Sequence, residues 1–135
     1  MITAEVTIRA QFYDLDPMQV VWHGNYVRFL EQARCALLDK IEFNYEAMAL
    51  TGYSWPVVDL RIKYVKPLRF AQEARVRATL VEYENRLRID YVISDPASGE
   101  IVTKAQTIQV AVDMATGELA FESPQALRDS VERHR

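Results

Sequence analysis

The sequence predicts an α+β fold in which one antiparallel sheet wraps around a single long central helix. Two observations carry that prediction. A broad apolar face of helical period runs from about Asn25 to Glu42, and strand-period alternation flanks it, briefly before and persistently after Gly52.

At the start, Val6, Ile8, Ala10 and Phe12 alternate with Thr7, Arg9 and Gln11, the pattern of a strand with one buried face. From Asn25 the period changes. Tyr26, Leu30, Ala33, Leu37 and Ile41 recur at steps of three and four, whereas Arg28, Gln32, Asp39 and Lys40 fall off that stripe. Phe29, Ala36 and Leu38 widen the apolar face, so the helix is expected to be wrapped by other structure. Asn25 is the N-cap candidate, Asn44 the cap of a short second helix, and Gly52 its stop.

Alternation then resumes. Val58, Leu60, Ile62 and Tyr64 form a first run, Val76, Ala78 and Leu80 a second, and Leu87, Ile89, Tyr91 and Ile93 a third. Val102, Ile108, Val110 and Val112 belong to a fourth. Turns are legible at Glu84-Asn85, Asp95-Pro96-Ala97-Ser98-Gly99 and Ala115-Thr116-Gly117, short enough to make the strands they join antiparallel. Ser123-Pro124 supplies the N-cap and first-turn proline of a closing helix from Pro124 to Arg133.

The length of 135 residues suits one domain with a real core, and 50% hydrophobic with 26% charged residues describes an ordinary globular chain. A net charge of −3 gives no reason to expect nucleic acid as a partner. A lone Cys35 excludes an internal disulfide, and no Cys/His cluster has metal-ligand spacing, so neither a metal nor another cofactor is expected. The segment Met1-Ile2-Thr3-Ala4-Glu5 has no basic leader, and no run of ~18 apolar residues occurs. The expectation is a soluble cytoplasmic protein with no membrane partner.

Function concentrates in Tyr13-Asp14-Leu15-Asp16-Pro17-Met18-Gln19-Val20-Val21-Trp22-His23-Gly24-Asn25-Tyr26. Here a carboxylate and an imidazole lie near a helix start, where free backbone N–H groups favour negative charge. Asp16 precedes a proline and so sits on stiff, extended backbone. It is the candidate nucleophile or general base. The amide of Gly24, or of a neighbour, is the candidate oxyanion donor, and Gly24 has no side chain to obstruct approach. His23 is read as polarising and positioning the reacting carbonyl. Asp14 is read as structural.

The stretch Asp14-Leu15-Asp16-Pro17, then Val20 to Tyr26, then Phe29, Glu31, Ala33 and Arg34, resembles the signature of hot-dog-fold acyl-CoA thioesterases of the 4-hydroxybenzoyl-CoA thioesterase type. Tyr64 followed by Pro67-Leu68 resembles the start of a second family motif. The resemblance implies a hot-dog subunit that pairs edge to edge into a homodimer, commonly a homotetramer, with active sites at the subunit interface. It also implies hydrolysis of a thioester joining an acyl group to the pantetheine arm of coenzyme A or of an acyl carrier protein. Gln19, Asn25 and Tyr26 are the expected substrate-binding residues beside the acid.

Two features depart from the family pattern. Gln19 stands where many members carry a small residue, often glycine. In several members a basic run on a late turn holds the coenzyme A phosphates, whereas here the turn reads Tyr83-Glu84-Asn85-Arg86. Arg86 and Arg88 are candidates to meet a phosphate, as are Lys63, Lys66 and Arg69. Trp22, Trp55 and Phe70 are candidate lining of the acyl pocket. The alternatives are an acyl-thioester hydratase or dehydratase and a non-catalytic acyl-binding module.

Overall fold

The computed structural model describes residues 1–135. Strand β1 (Thr3–Arg9) leads through a 3₁₀ turn, Phe12–Asp14, and a second, His23–Asn25, into helix α1 (Tyr26–Lys40) and the short α2 (Tyr45–Ala49). Strands β2 (Tyr53–Ser54), β3 (Val57–Tyr64), β4 (Glu73–Glu82), β5 (Leu87–Ser94), β6 (Ile101–Gln109) and β7 (Val112–Asp113) follow, and α3 (Gln125–His134) closes the chain.

Five strands form one antiparallel sheet in the order β1-β4-β5-β6-β3, so β3 crosses the molecule to become the edge opposite β1. Strands β2 and β7 make a separate two-stranded ribbon. That ribbon splits the expected fourth run: Val102 and Ile108 belong to β6, and Val112 to β7.

The sheet curves around α1. Tyr26, Phe29, Leu30, Ala33, Leu37 and Leu38 are buried on the helix, against Ile8 of β1, Val76 and Ala78 of β4, and Leu87, Ile89, Tyr91 and Ile93 of β5. Full burial of each large side chain contributes on the order of 2 kcal/mol, which is why the broad helical face predicted a wrapped helix. The helix stops before the expected Glu42 because that residue takes φ +58°, outside helical space. Asn44 caps α2 as expected, its Oδ1 accepting from Ala47 N at 3.0 Å. Gly52 takes φ +81° in the turn that follows.

Val58, Leu60 and Tyr64 of the first run are exposed, because α1 packs on β1 and β4 and leaves the far edge uncovered. Three expectations need correction. Phe12 is exposed rather than inward, because the chain leaves β1 after Arg9 and enters the 3₁₀ turn. Asn25 does not cap α1 with its side chain, being itself in helical conformation. At the closing helix Pro124 holds the N-cap position, and the Ser123 hydroxyl is buried without a hydrogen bond.

Candidate functional site

Asp16 sits in a tight reversal between Leu15 and Val21. Asp16 N donates to Val20 O at 2.9 Å and Gln19 N to Asp16 O at 2.9 Å. Its Oδ1 accepts from Met18 N at 2.8 Å, a side-chain turn of the kind aspartate favours. The carboxylate is thus held by one oxygen, and Oδ2 takes no hydrogen bond from the protein. Closing this reversal requires φ +66° at Gln19, the left-handed region that glycine enters freely. Gln19 therefore costs about 1 kcal/mol of backbone strain. Its side chain is exposed and does not line the cleft described below.

The reversal is clipped to the rest of the molecule through Leu68. Val21 N donates to Leu68 O at 2.8 Å, and Leu68 N donates to the Tyr26 hydroxyl at 3.1 Å. Leu68 itself is fully buried, so both its backbone groups brace the site from a fixed point. Burial raises the Tyr26 phenol above its ordinary pKa, an effect partly offset by the Leu68 N–H bond. Tyr26 thus lines the site as a neutral ring whose oxygen is already engaged.

Asp14 is almost completely buried. Its Oδ2 accepts from Gln11 N at 2.8 Å, and Arg28 Nη2 lies 3.6 Å from Oδ1. Its carbonyl accepts from Trp22 N at 2.9 Å and from Asn25 Nδ2 at 2.8 Å. Asn25 therefore ties the start of α1 to the backbone just ahead of Asp16, a role that spacing along the chain does not disclose.

In the second 3₁₀ turn the Trp22 carbonyl is taken by Asn25 N at 2.9 Å. The amides of His23 and Gly24 precede that bond and have no acceptor within the turn. A Cβ at Gly24 would lie 2.5 Å from the Trp22 ring, so only glycine lets the indole fold across the helix entrance. The indole also lies against His23, with ring centroids 5.2 Å apart.

Asp16, His23 and Tyr26 line one open cleft of about 270 Å³ together with Tyr64, Lys66 and Pro67. Tyr64 was not among the residues expected at the site. Its hydroxyl donates to His23 O at 2.7 Å, and its ring meets Tyr26 edge-on at 4.9 Å. The only sequence signal for it is the spacing of Tyr64 ahead of Pro67-Leu68. Lys66 is ion-paired with Glu100 at the rim.

Arg86 and Arg88 are not brought to this cleft within one chain. Arg86 pairs with Glu82 at 2.8 Å and Arg88 with Asp90 at 3.1 Å. In the sheet register Arg88 lies opposite Ile108, whereas Tyr64 lies opposite Thr103, whose other neighbour is Ile93. From Ile93 to Arg88 along β5 is about 17 Å, which puts the arginines at the other end of the sheet.

Comparisons with known proteins identify the family and the fold. A family model described as "Thioesterase-like superfamily" matches residues 10–131. A Bacillus subtilis (strain 168) protein named "Putative acyl-CoA thioesterase YneP" is 33% identical over 114 residues, covering 84% of this chain and 82% of that one. The long-chain acyl-CoA thioesterase FadM of Escherichia coli (strain K12) is 27% identical over 131 residues, 96% of this chain and 97% of the relative. Among solved structures, a DHNA-CoA thioesterase from Staphylococcus aureus superposes with a TM-score of 0.80 at 29% identity, covering 90% of this chain and 81% of that chain.

Proposed function

Because this chain belongs to the thioesterase-like superfamily, whose fold is the hot-dog arrangement described above, we propose that it hydrolyses acyl-CoA or acyl-carrier-protein thioesters, using Asp16 at the entrance of α1. The observation that carries this reading is the shared cleft. A carboxylate with one oxygen held and one open faces the same space as His23, beside amides that precede the first bond of the helical entrance.

Two routes fit that geometry. In the first, Oδ2 of Asp16 attacks the carbonyl carbon, the C–S bond breaks, the thiolate leaves, and water then hydrolyses the mixed anhydride. In the second, Asp16 takes a proton from water as the water attacks, and the tetrahedral intermediate expels the thiolate. In both, the developing oxyanion is received by the amide of Gly24 or of His23, a contribution on the order of 10²-fold or more. His23, which lines the same cleft, polarises and positions the carbonyl.

The active unit in this reading is a homodimer joined along β3. Antiparallel pairing of that edge with a second copy would cover its exposed apolar row, and it would carry the second copy's Arg86 and Arg88 to the cleft's end of the sheet. Those arginines are then available to a phosphate. We read residues 1–135 as one such domain acting in the cytoplasm. No helix is long and apolar enough to cross a membrane.

The test is thiol release from a panel of acyl-CoA and acyl-carrier donors. The wild-type protein is expected to turn over at least one donor, and Asp16→Asn to lose on the order of 10²-fold or more of kcat with its thermal transition unchanged. An Asp16→Asn protein with near-full activity removes that carboxylate from the mechanism. Single turnover in ¹⁸O-water identifies the first route where water opens the anhydride at the Asp16 carboxyl carbon, since the first product then carries an unlabelled enzyme oxygen and Asp16 takes up the label.

A further inference from the structure

One backbone oxygen joins the two halves of the candidate site. The Asp14 carbonyl accepts from Trp22 N at 2.9 Å, the bond that closes the reversal carrying Asp16, and from Asn25 Nδ2 at 2.8 Å. A carbonyl oxygen has two lone pairs, and both are engaged. The residue presenting this oxygen is itself fixed, since its buried side chain accepts from Gln11 N at 2.8 Å and lies 3.6 Å from Arg28 Nη2. Between the two donors to Asp14 lie His23 and Gly24, whose amides are unclaimed within the turn. Tyr64 holds the His23 carbonyl from the β3 side at 2.7 Å, and the Asn25 side chain supplies the tether that follows those amides. Asn25 makes that bond instead of capping α1, although it stands at the cap position.

We infer that Asn25 is a positioning residue, which sets the amides of His23 and Gly24 at a fixed separation from the Asp16 carboxylate. It acts through the Asp14 carbonyl and not by contact with substrate. This inference rests on the hydrolase reading. The attacking oxygen and the oxyanion donors must address one carbonyl group, whose two atoms are about 1.2 Å apart. Acid and donors stand on different turns, so their separation is only as well defined as the bonds between those turns. A misplacement of about 1 Å at such a site costs on the order of 10²-fold in rate.

The experiment removes the donor at nearly constant volume. Asn25→Leu is expected to lower kcat about tenfold to hundredfold and to leave KM within about twofold, because only the alignment of reacting groups is lost. Asn25→Ala carries the same expectation and serves should the leucine variant not fold. Unchanged turnover in Asn25→Leu, or kcat and KM failing together, overturns the assignment. So does a much larger loss in Asn25→Ala than in Asn25→Leu, which marks space filling. Calorimetric titration with two derivatives of coenzyme A reads the donors without turnover. The S-trifluoroacetonyl derivative, once hydrated at its ketone, presents an oxygen to the amides, whereas the S-propyl derivative has none. The wild-type protein should prefer the ketone, and Asn25→Leu should lose most of that preference while binding the propyl derivative as before. A wild-type protein without that preference overturns the assignment as well. Should the wild-type protein release no thiol from any donor yet show the preference, and Asn25→Leu lose it, the hydrolase reading sinks and the positioning role stands. Thiol release with the preference intact in Asn25→Leu does the reverse.

Discussion

The two edges of the sheet carry opposite surfaces. Along β1 the inward side chains are covered by α1, and the outward ones are polar: Glu5 faces Arg77 at 2.5 Å and Arg75 at 3.5 Å. Along β3 the row on the helix side is Val58, Leu60, Ile62 and Tyr64, of which Val58 is 57%, Leu60 43% and Tyr64 45% exposed. Charges on an edge discourage a second strand, whereas an open apolar row beside unpaired backbone groups invites one. The helix packs toward β1, and the strip it leaves uncovered borders the Asp16 cleft at Tyr64.

The largest effect is expected from spoiling that strip. Leu60→Lys places a charge at the middle of the proposed self-pairing edge, opposite Thr107 in its own sheet. Sedimentation should show the mass halved, and thiol release should fall on the order of 10²-fold, because each cleft loses the wall its partner supplies. The thermal transition of the isolated chain should move little, since Leu60 is already exposed there. A fully active monomer would break the comparison between the edges outright.

That asymmetry marks the boundary of what the sequence discloses. Strands, central helix and turns are legible because burial imposes periods of two and 3.6 on residues close in the chain. The period of β3 shows that Leu60 and Tyr64 share a face but not whether anything covers it, since cover is decided by where α1 lies. Within the site, Asp16, His23 and Gly24 stand out because they adjoin one helix start. Asn25 reads as a cap until its amide is seen bonded to a carbonyl 11 residues away. The Gln109 contact with Trp55 spans 54 residues and leaves no local signature at all.

A smaller loss is expected from cutting the one hydrogen bond that ties β3 to the cleft. Tyr64→Phe removes the hydroxyl that holds the His23 carbonyl at 2.7 Å and keeps the ring against Tyr26. Stability should drop by about 1 kcal/mol, and kcat by roughly tenfold with KM nearly unchanged, because a carbonyl released from Tyr64 loosens the amides that follow it. A KM effect without a kcat effect would mean that Tyr64 holds substrate rather than the turn.

Tyr91 stands near the line where helix cover ends. Its phenol is buried beneath α1 and shares a 2.7 Å hydrogen bond with Thr107. Burial raises its pKa far above the ordinary value, with the Thr107 bond opposing in part. The folded state therefore holds this proton where the unfolded chain releases it, so stability is complete below about pH 10 and declines as pH rises beyond that. Chemical denaturation across the alkaline range should show the midpoint falling, and Tyr91→Phe should flatten that fall while lowering neutral-pH stability by leaving Thr107 unpaired. An unchanged alkaline slope in Tyr91→Phe would move the effect to Tyr26, whose phenol is raised by burial as well.

The smallest effect belongs to the other edge. Glu5 is paired on the open face of β1, and exposed ion pairs of this kind contribute about 0–1 kcal/mol because solvent screens them and ordering two long side chains costs entropy. Glu5→Gln should therefore change the denaturation midpoint only marginally, and the dimer mass and thiol release not at all. If instead Glu5→Gln promoted further association, the charge at that edge would be acting chiefly to keep a second strand away, and the two edges would differ by exclusion on one side as much as by attraction on the other. Sedimentation of Glu5→Gln beside Leu60→Lys reads both possibilities in one measurement, since the first can only raise the mass and the second can only lower it.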